Sequence, residues 1–153
     1  MSKSQTEEAV ERTLEFILSS ETREFFHFAN DLKDFYSFSQ KTDDFFKIRY
    51  SNYHKVLGEI CFKDPNCLHD KLVKSLIKEL TYIHSLIDVF KLVLCLKYLG
   101  ADVESSLSRY VNSDKFNKIN CALKLIEATS DEDGYVPPIK FQCIYGALKC
   151  IDK

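Results

Sequence analysis

The chain has 153 residues, of which 45% are hydrophobic and 29% are charged, and its formal net charge is −2. This length fits one domain with its own core, so we predict a single all-helical domain over residues 1–153. The near balance of charge argues against long-range attraction to nucleic acid or anionic lipid. The longest apolar run, Leu92–Leu96, is far shorter than the roughly 18 residues that a membrane span requires.

The N-terminal residues and the cysteines indicate a reducing compartment. The first ten residues, MSKSQTEEAV, are polar and acidic, and we expect neither a secretory signal nor a transit peptide. Six cysteines are interleaved with helix-like apolar patterns, which favours reduced thiols over a disulfide framework. The sequence therefore predicts a cytoplasmic or nuclear protein.

The spacing of apolar residues predicts an all-α fold. Only four glycines and three prolines interrupt the chain, and apolar residues recur mostly three or four positions apart. We predict a single compact bundle of about six to eight helices. The similar stretches CLKYL, ALKLI and ALKCI, at 95–99, 122–126 and 147–151, leave a short armadillo- or HEAT-like helical repeat as the alternative, although such units usually need ~40 residues.

Three helices are predicted in the first third of the chain. The first runs from about Gln5 to Leu18, and the second follows SSET at 19–22. A third follows a cap at Thr42. The apolar stripes of the second and third helices are Phe25, Phe28, Leu32 and Phe35, and then Phe46, Tyr50, Tyr53, Leu57 and Ile60.

The middle of the chain is helical from Leu68 to Leu99, after a break at Pro65. A seam is predicted at 81–85, because Ser85 precedes Asp88 by three residues, as in a helix cap. Gly100 is predicted to end this region in the left-handed conformation.

The last third is predicted to contain a short helix near Val103–Val111, another from Asp114 to Ala128, and a loop with the sequence TSDEDGYVPP. Pro138 then opens a final helix that is apolar enough for us to expect it largely buried. Its apolar residues lie on two adjoining sides: Ile139, Cys143, Ala147 and Cys150 on one, and Phe141, Ile144, Leu148 and Ile151 on the other.

The aromatic residues carry the functional hypothesis. Eight of the twelve phenylalanines lie before residue 47, and core packing explains those on the helical stripes. Phe26 and Phe38 fall about 100° and 220° around the helix from Phe25, so we expect part of this surplus to be exposed. We predict an interaction or regulatory adaptor domain that binds another protein's helical or extended apolar segment through the helices spanning Ser20–Ile60. The candidate partner-binding residues are Phe26, Tyr36, Phe38 and Phe45.

Nucleic-acid binding is the alternative function. Base stacking on the N-terminal aromatics is disfavoured, because residues 1–50 contain seven basic and ten acidic side chains. A helical domain that uses the lysine-rich second half would draw on the fourteen basic side chains of residues 51–153. The stripe formed by Lys71, Lys74 and Lys78 is interpreted as the solvated face of a helix, and the acids of SDEDGY as an exposed loop.

No motif indicates catalysis, a metal or a cofactor. Cys61, Cys67, His69 and Asp70 surround a proline turn, but their spacing lacks the paired short intervals of zinc sites. The sequence contains no glycine-rich phosphate loop and no H-E-x-x-H, and nothing around the cysteines and histidines indicates an activated thiol. We therefore expect no enzymatic activity, no metal site and no cofactor.

Overall fold

A computed structural model describes residues 5–39, 65–82, 84–106 and 114–151. These ranges contain seven helices and no strand, which confirms the predicted all-α bundle. The predicted helix around Tyr50 and Tyr53 lies outside the described residues. The helices are α1 (Gln5–Ser19), α2 (Thr22–Ser39), α3 (Pro65–Glu79), α4 (Leu86–Tyr98), α5 (Val103–Ser106), α6 (Asp114–Thr129) and α7 (Pro138–Ile151).

Local signals in the sequence set the ends of α4. Ser85 has extended backbone angles, and its Oγ accepts a hydrogen bond of 3.2 Å from the backbone N–H of Asp88, as predicted for the seam. At the other end, Gly100 adopts a φ of 78°, as predicted for a left-handed cap. A Cβ atom at Gly100 would also collide with the ring of Tyr36, so glycine is required there for space as well as for its conformation.

Helix α4 lies at the centre of the bundle. Ten of its thirteen residues are buried, and all six of the other described helices pack against it. In a helical solenoid each unit contacts only its neighbours along the chain, so a shared central helix argues against the armadillo- or HEAT-like alternative. The core forms around α4 because a helix that is apolar on every side must be covered on every side.

The aromatic stripe of α2 belongs to this core. Phe25, Phe28 and Leu32 are buried, which confirms the periodicity for these three residues. The side chain of Phe35 lies outside what the structure describes. On the stretch 65–82, Leu72 and Leu76 are likewise buried, whereas the lysines of α3 lie on its exposed and half-buried positions.

The connection between α6 and α7 is an ordered turn. The Asp131 carboxylate accepts hydrogen bonds from the backbone N–H groups of Asp133 (3.0 Å) and Tyr135 (2.9 Å), which is the usual chemistry of an aspartate turn. The Tyr135 hydroxyl donates to the carboxylate of Asp34 on α2. Nζ of Lys33 lies 4.9 Å from the centre of the Tyr135 ring. These contacts dock the turn onto α2.

Tyr98 joins the same turn to α4. Its buried hydroxyl accepts a 2.9 Å hydrogen bond from the backbone N–H of Val136. We expect Tyr98→Phe to lower the free energy of unfolding by about 1–3 kcal/mol, because the buried Val136 N–H loses its acceptor. Urea denaturation at pH 7 measures the loss. Tyr82→Phe, a change on an exposed ring, is the control and should have little effect.

The difference in the free energy of unfolding between the wild type and Tyr98→Phe should also depend on pH. Burial raises the pKa of Tyr98 from 10.0 to about 12. The stabilisation from keeping the phenol neutral is therefore complete below pH 10 and is lost as the pH rises toward 12. The stability difference between the wild type and Tyr98→Phe should shrink over this interval, and a difference that grew there would contradict the assignment.

Helix α7 differs from the sequence-based expectation. One of its two apolar sides is buried, through Phe141, Ile144 and Leu148. The other side is exposed, and so is Ile151, which was assigned to the buried side; the prediction of a largely buried helix was therefore wrong. The exposed residues of that side are Ile139, Cys143, Ala147 and Cys150. The bundle covers one side of α7 with α2, α4 and α6 and leaves the opposite side uncovered by any described residue.

Candidate docking surface on helix α7

The uncovered side of α7 is a continuous apolar stripe. Pro138 starts the helix at a position where its missing N–H costs nothing. Ile139 is 77% exposed and Ile151 is 66% exposed, which are unusual values for isoleucine. Cys143, Gly146 and Cys150 lie within about 40° of Ile139 around the helix, because 3.6 residues make one turn. Ala147 and Ile151 lie about 80° and 120° around the helix from Ile139, so they form one edge of the surface. We call this surface, made by Ile139, Cys143, Gly146, Ala147, Cys150 and Ile151, the α7 face.

Small residues form the middle of the α7 face. Gly146 and Ala147 lie between the two cysteines, and a Cβ atom at Gly146 would meet nothing within 4 Å. Small side chains at three- and four-residue spacing let a second helix approach closely. The α7 face is therefore a shallow channel with Ile139 at one end, and Ile151 lies on its edge at the other end.

The charges beside the α7 face are basic. The described residues of α7 include Lys140 and Lys149 and no acid. Lys149 lies toward α2, where its Nζ is 3.7 Å from a carboxylate oxygen of Glu21 and 5.3 Å from the centre of the Tyr145 ring. Lys140 lies on the opposite flank and is exposed. A partner with an acidic residue on the Lys140 flank would match this pattern.

A cluster of rings holds the buried side of α7 in place. The Phe141 ring centre lies 5.9 Å from that of Phe25, 5.2 Å from Phe26 and 6.1 Å from Phe90. Tyr145 lies 6.2 Å from Phe141 on the next turn. These distances suit favourable ring packing, so α7 is fixed to α2 and α4 along its length. A fixed helix can bind a partner without first losing its own conformational freedom.

Lys91 is a buried amine beneath α7. It is 2% exposed, and its Nζ donates a 2.8 Å hydrogen bond to the backbone carbonyl of Ser20. Nζ also lies 5.6 Å from the ring centre of Phe25 and 5.8 Å from that of Tyr145. These contacts tie the α1–α2 connection to α4 and α7. Nothing in the sequence pattern had singled out this residue.

Burial and the nearby carboxylates shift the pKa of Lys91 in opposite directions. Burial lowers the pKa of Lys91, because removing an ammonium from water disfavours the charged form. The carboxylates of Asp88 and Glu21 act in the opposite direction. Cys95, one turn further along α4, is also buried, and burial raises the pKa of its thiol. A thiol of this kind stays protonated and is a poor nucleophile.

The structure describes the side chains of two of the four sequence-predicted residues, and these two lie in different surroundings. Phe26 is half-buried, and its ring packs against Phe141 on the covered side of α7. Tyr36 is half-buried at the other end of α2, against Gly100. The side chain of Phe38 and all of Phe45 lie outside the described residues. Phe26 and Tyr36 are nearly three turns apart along α2 and do not form one patch with each other.

Two cavities are less suited to a partner. A groove of about 350 Å³ lies between α1 and α3, and opposite charges from Glu7, Glu11, Lys71 and Lys74 line it. A second cavity of about 430 Å³ lies between α2, α4 and α6. There the Lys97 amine is paired at 2.9 Å with Glu104. In both, lysines and glutamates are mixed, which gives neither cavity a net preference for an acidic or a basic ligand.

No group of three or more His, Cys, Asp and Glu side chains in the described part of the chain is arranged to hold a metal ion. Cys61 lies outside that part, and so do the side chains of Cys67 and His69, while Asp70 is exposed.

None of the helices described between residues 5 and 151 is long and apolar enough to cross a membrane. Comparison with protein-family models, with curated proteins and with solved structures found no match to this chain.

Proposed function

We propose that the protein is a non-enzymatic interaction domain that binds an amphipathic α-helix of a partner protein along the α7 face. The observation that carries the proposal is the exposure of Ile139 at the start of a line of small residues, with a second exposed isoleucine, Ile151, on the edge of that line at its far end. Large apolar side chains that are exposed together on one rigid element are typical of binding surfaces.

The dimensions of the α7 face define the partner. Ile139 and Ile151 are twelve residues apart, which corresponds to about 18 Å along a helix. A partner helix of about three to four turns would cover this length with its own apolar stripe. The small residues of α7 leave room for large side chains on the partner, such as leucine or phenylalanine. Lys140 favours an acidic residue on one flank of the partner's stripe, whereas Lys149 on the other flank is already paired with Glu21.

Of the aromatic residues that the sequence nominated for partner binding and whose side chains the structure describes, Phe26 is the one that contacts α7. Its half-buried ring packs against Phe141, where α2 meets α7. A partner helix lying on α7 can cover the remaining exposed part of the ring. Tyr36, Phe38 and Phe45 stay candidates from the sequence, without a contact to the α7 face. The domain range 1–153 and the cytoplasmic or nuclear location are likewise proposals from the sequence.

Ile139→Asp tests the proposal. We expect this change to weaken partner binding about tenfold or more, because it places a charge at one end of an apolar interface. Thermal stability should change little, since Ile139 is 77% exposed in the folded protein. Proteins retained from a native lysate by the wild type and lost by Ile139→Asp would be purified and titrated calorimetrically against both, in the presence of a thiol reductant.

Tyr82→Asp is the matched control, because Tyr82 is also a large exposed side chain (52%) but lies after α3, away from α7. It should bind the partner as tightly as the wild type does. Lys140→Glu should weaken binding of a partner with an acidic residue on this flank and leave the fold intact. The proposal is wrong if Ile139→Asp binds as the wild type does, or if the wild type retains nothing that this variant loses.

A further inference from the structure

Two cysteines lie on the α7 face at a spacing that suits pairing between two molecules. Cys143 and Cys150 are free and exposed. They are seven residues apart, so they lie almost directly above one another, separated by about 10 Å along the helix. This separation is too large for a disulfide within one helix, which needs Cα atoms roughly 4.4–6.8 Å apart.

An antiparallel pair of α7 helices places these thiols opposite each other. The midpoint between Cys143 and Cys150 falls between Gly146 and Ala147. If a twofold axis passes through that point, Cys143 of each copy faces Cys150 of the other, and the two contacts are equivalent. Gly146 and Ala147 then lie at the centre of the contact, where their small side chains allow the backbones to approach.

The distances of this arrangement agree with ordinary helix packing. Helix Cα atoms lie about 2.3 Å from the axis, and disulfide-bonded Cα atoms are typically about 5.5–6 Å apart. Cysteines that face each other directly would therefore place the two helix axes about 10 Å apart, within the usual range of 8–10 Å. The bonds could form without distorting either helix.

We propose that two copies pair antiparallel through their α7 faces and that a peroxide-class oxidant closes two reciprocal Cys143–Cys150 disulfides. For each disulfide, two thiols give up two protons and two electrons, and one hydrogen peroxide is reduced to two waters. This proposal rests on the proposed function, since the second copy covers the same face: the oxidised dimer occludes it and the reduced protein offers it to the partner.

The disulfides are needed because the non-covalent pair is small. Helix α7 has 14 residues and is about 21 Å long. One helix pair of this length buries less than the ~1,200 Å² at the lower end of stable interfaces. Without oxidant we therefore expect a monomer, and the thiol state decides which form is present.

Oxidation of a mixture of isotopes tests the pairing. Equal amounts of ¹⁵N-labelled and unlabelled protein are reduced, freed of reductant and treated with stoichiometric hydrogen peroxide. We expect a covalent dimer of two 17.8 kDa chains. Trypsin should release FQCIYGALK joined to CIDK, the peptides that contain Cys143 and Cys150, half of it with one labelled and one unlabelled partner. A link found only within single copies would overturn the proposal.

Single substitutions give the second arm of the test. Cys143→Ser and Cys150→Ser should each lower the dimer yield about tenfold or more, because neither variant can form a reciprocal pair in this register. Cys121→Ser, a change on α6, should leave the yield unchanged. Circular dichroism confirms that each variant is folded. A full yield from Cys143→Ser, or links spread evenly over other cysteines, would overturn the proposal.

Formation of the disulfide-linked dimer and binding of the partner are tested by separate measurements. The cross-link is measured with no partner present, whereas partner binding is measured in reductant, where no disulfide forms. Cys143→Ser/Cys150→Ser should bind the partner equally well with and without peroxide, whereas oxidised wild type should lose binding.

Discussion

We expect Phe141→Ala to lower the free energy of unfolding by about 3–5 kcal/mol, which is the range for a large aromatic residue removed from a core. Phe141 is buried, and its ring packs against those of Phe25, Phe26, Phe90 and Tyr145. Alanine leaves a cavity where α2, α4 and α7 meet, and three rigid helices cannot close it. Urea denaturation followed by circular dichroism measures the loss.

Two further variants isolate the cause of this effect. Gln142→Ala changes the neighbouring exposed residue and should alter stability by no more than about 0.5 kcal/mol. Phe141→Leu keeps most of the volume and should lose clearly less than alanine does. A loss below about 1 kcal/mol for Phe141→Ala would mean that α7 is not anchored through this ring. The buried side of α7 would then not hold the helix in place, and Phe141 and Ile139 could not be assigned separate roles in stability and in binding.

The helix ends and the central core could be predicted because their signals are local. Ser85 caps the helix that contains Asp88, three residues later, so the partner lies within the same short stretch of sequence. Gly100 and Pro138 likewise act through their own backbone constraints. The α2 stripe of Phe25 and Phe28 follows from the helical period alone. None of these inferences needs knowledge of which helices meet.

The exposed side of α7 could not be predicted from hydrophobicity, because both sides of the helix are apolar. Composition alone favours burial for such a helix, and only the tertiary arrangement decides which side is covered. Residue size was the available signal. The covered side has Phe141, Tyr145 and Leu148, which fill space, whereas the uncovered side has Gly146 and Cys143 at its centre. Core packing requires volume, and small residues in one line provide little of it.

The role of Lys91 was also beyond the sequence. Lys91 was not among the residues singled out from the sequence, and its hydrogen-bond partner, Ser20, is 71 residues away. Only the fold shows that a backbone carbonyl from the α1–α2 connection reaches this point. A lone lysine in an apolar run is then explained by one specific acceptor and two aromatic faces.

Reversing the charge at Lys91 should lower the free energy of unfolding about as much as removing the Phe141 ring. We expect Lys91→Glu to lower the free energy of unfolding by about 3–5 kcal/mol or more, because a buried carboxylate would have no donor there. It would also lie near Asp88 and Glu21, whose charges attract the native ammonium and would repel a carboxylate. Lys149→Glu, on an exposed residue of α7, should cost far less. The measurement is urea denaturation at pH 7.

Lys91→Met separates charge from packing. Methionine keeps the apolar stem and removes both the cost of burying an ammonium and the hydrogen bond to Ser20. These changes oppose each other, so we expect a net effect within about 1.5 kcal/mol of the wild type at pH 7. An effect of Lys91→Met as large as that of Lys91→Glu would show that the hydrogen bond, rather than the sign of the charge, governs this position.

The stability difference between the wild type and Lys91→Met, measured against pH, tests whether the Lys91 charge is buried. The folded pKa of Lys91 lies below its ordinary 10.5, so between these values the unfolded chain holds a proton that the folded chain has released. Stability rises with pH wherever the unfolded state binds more protons. Wild type should therefore gain stability relative to Lys91→Met as the pH rises through this interval, and the difference should be constant below it. Denaturation of both proteins from pH 7 to 10.5 measures this, and a difference that falls with rising pH would mean that the buried amine is stabilised, rather than penalised, in its charged form.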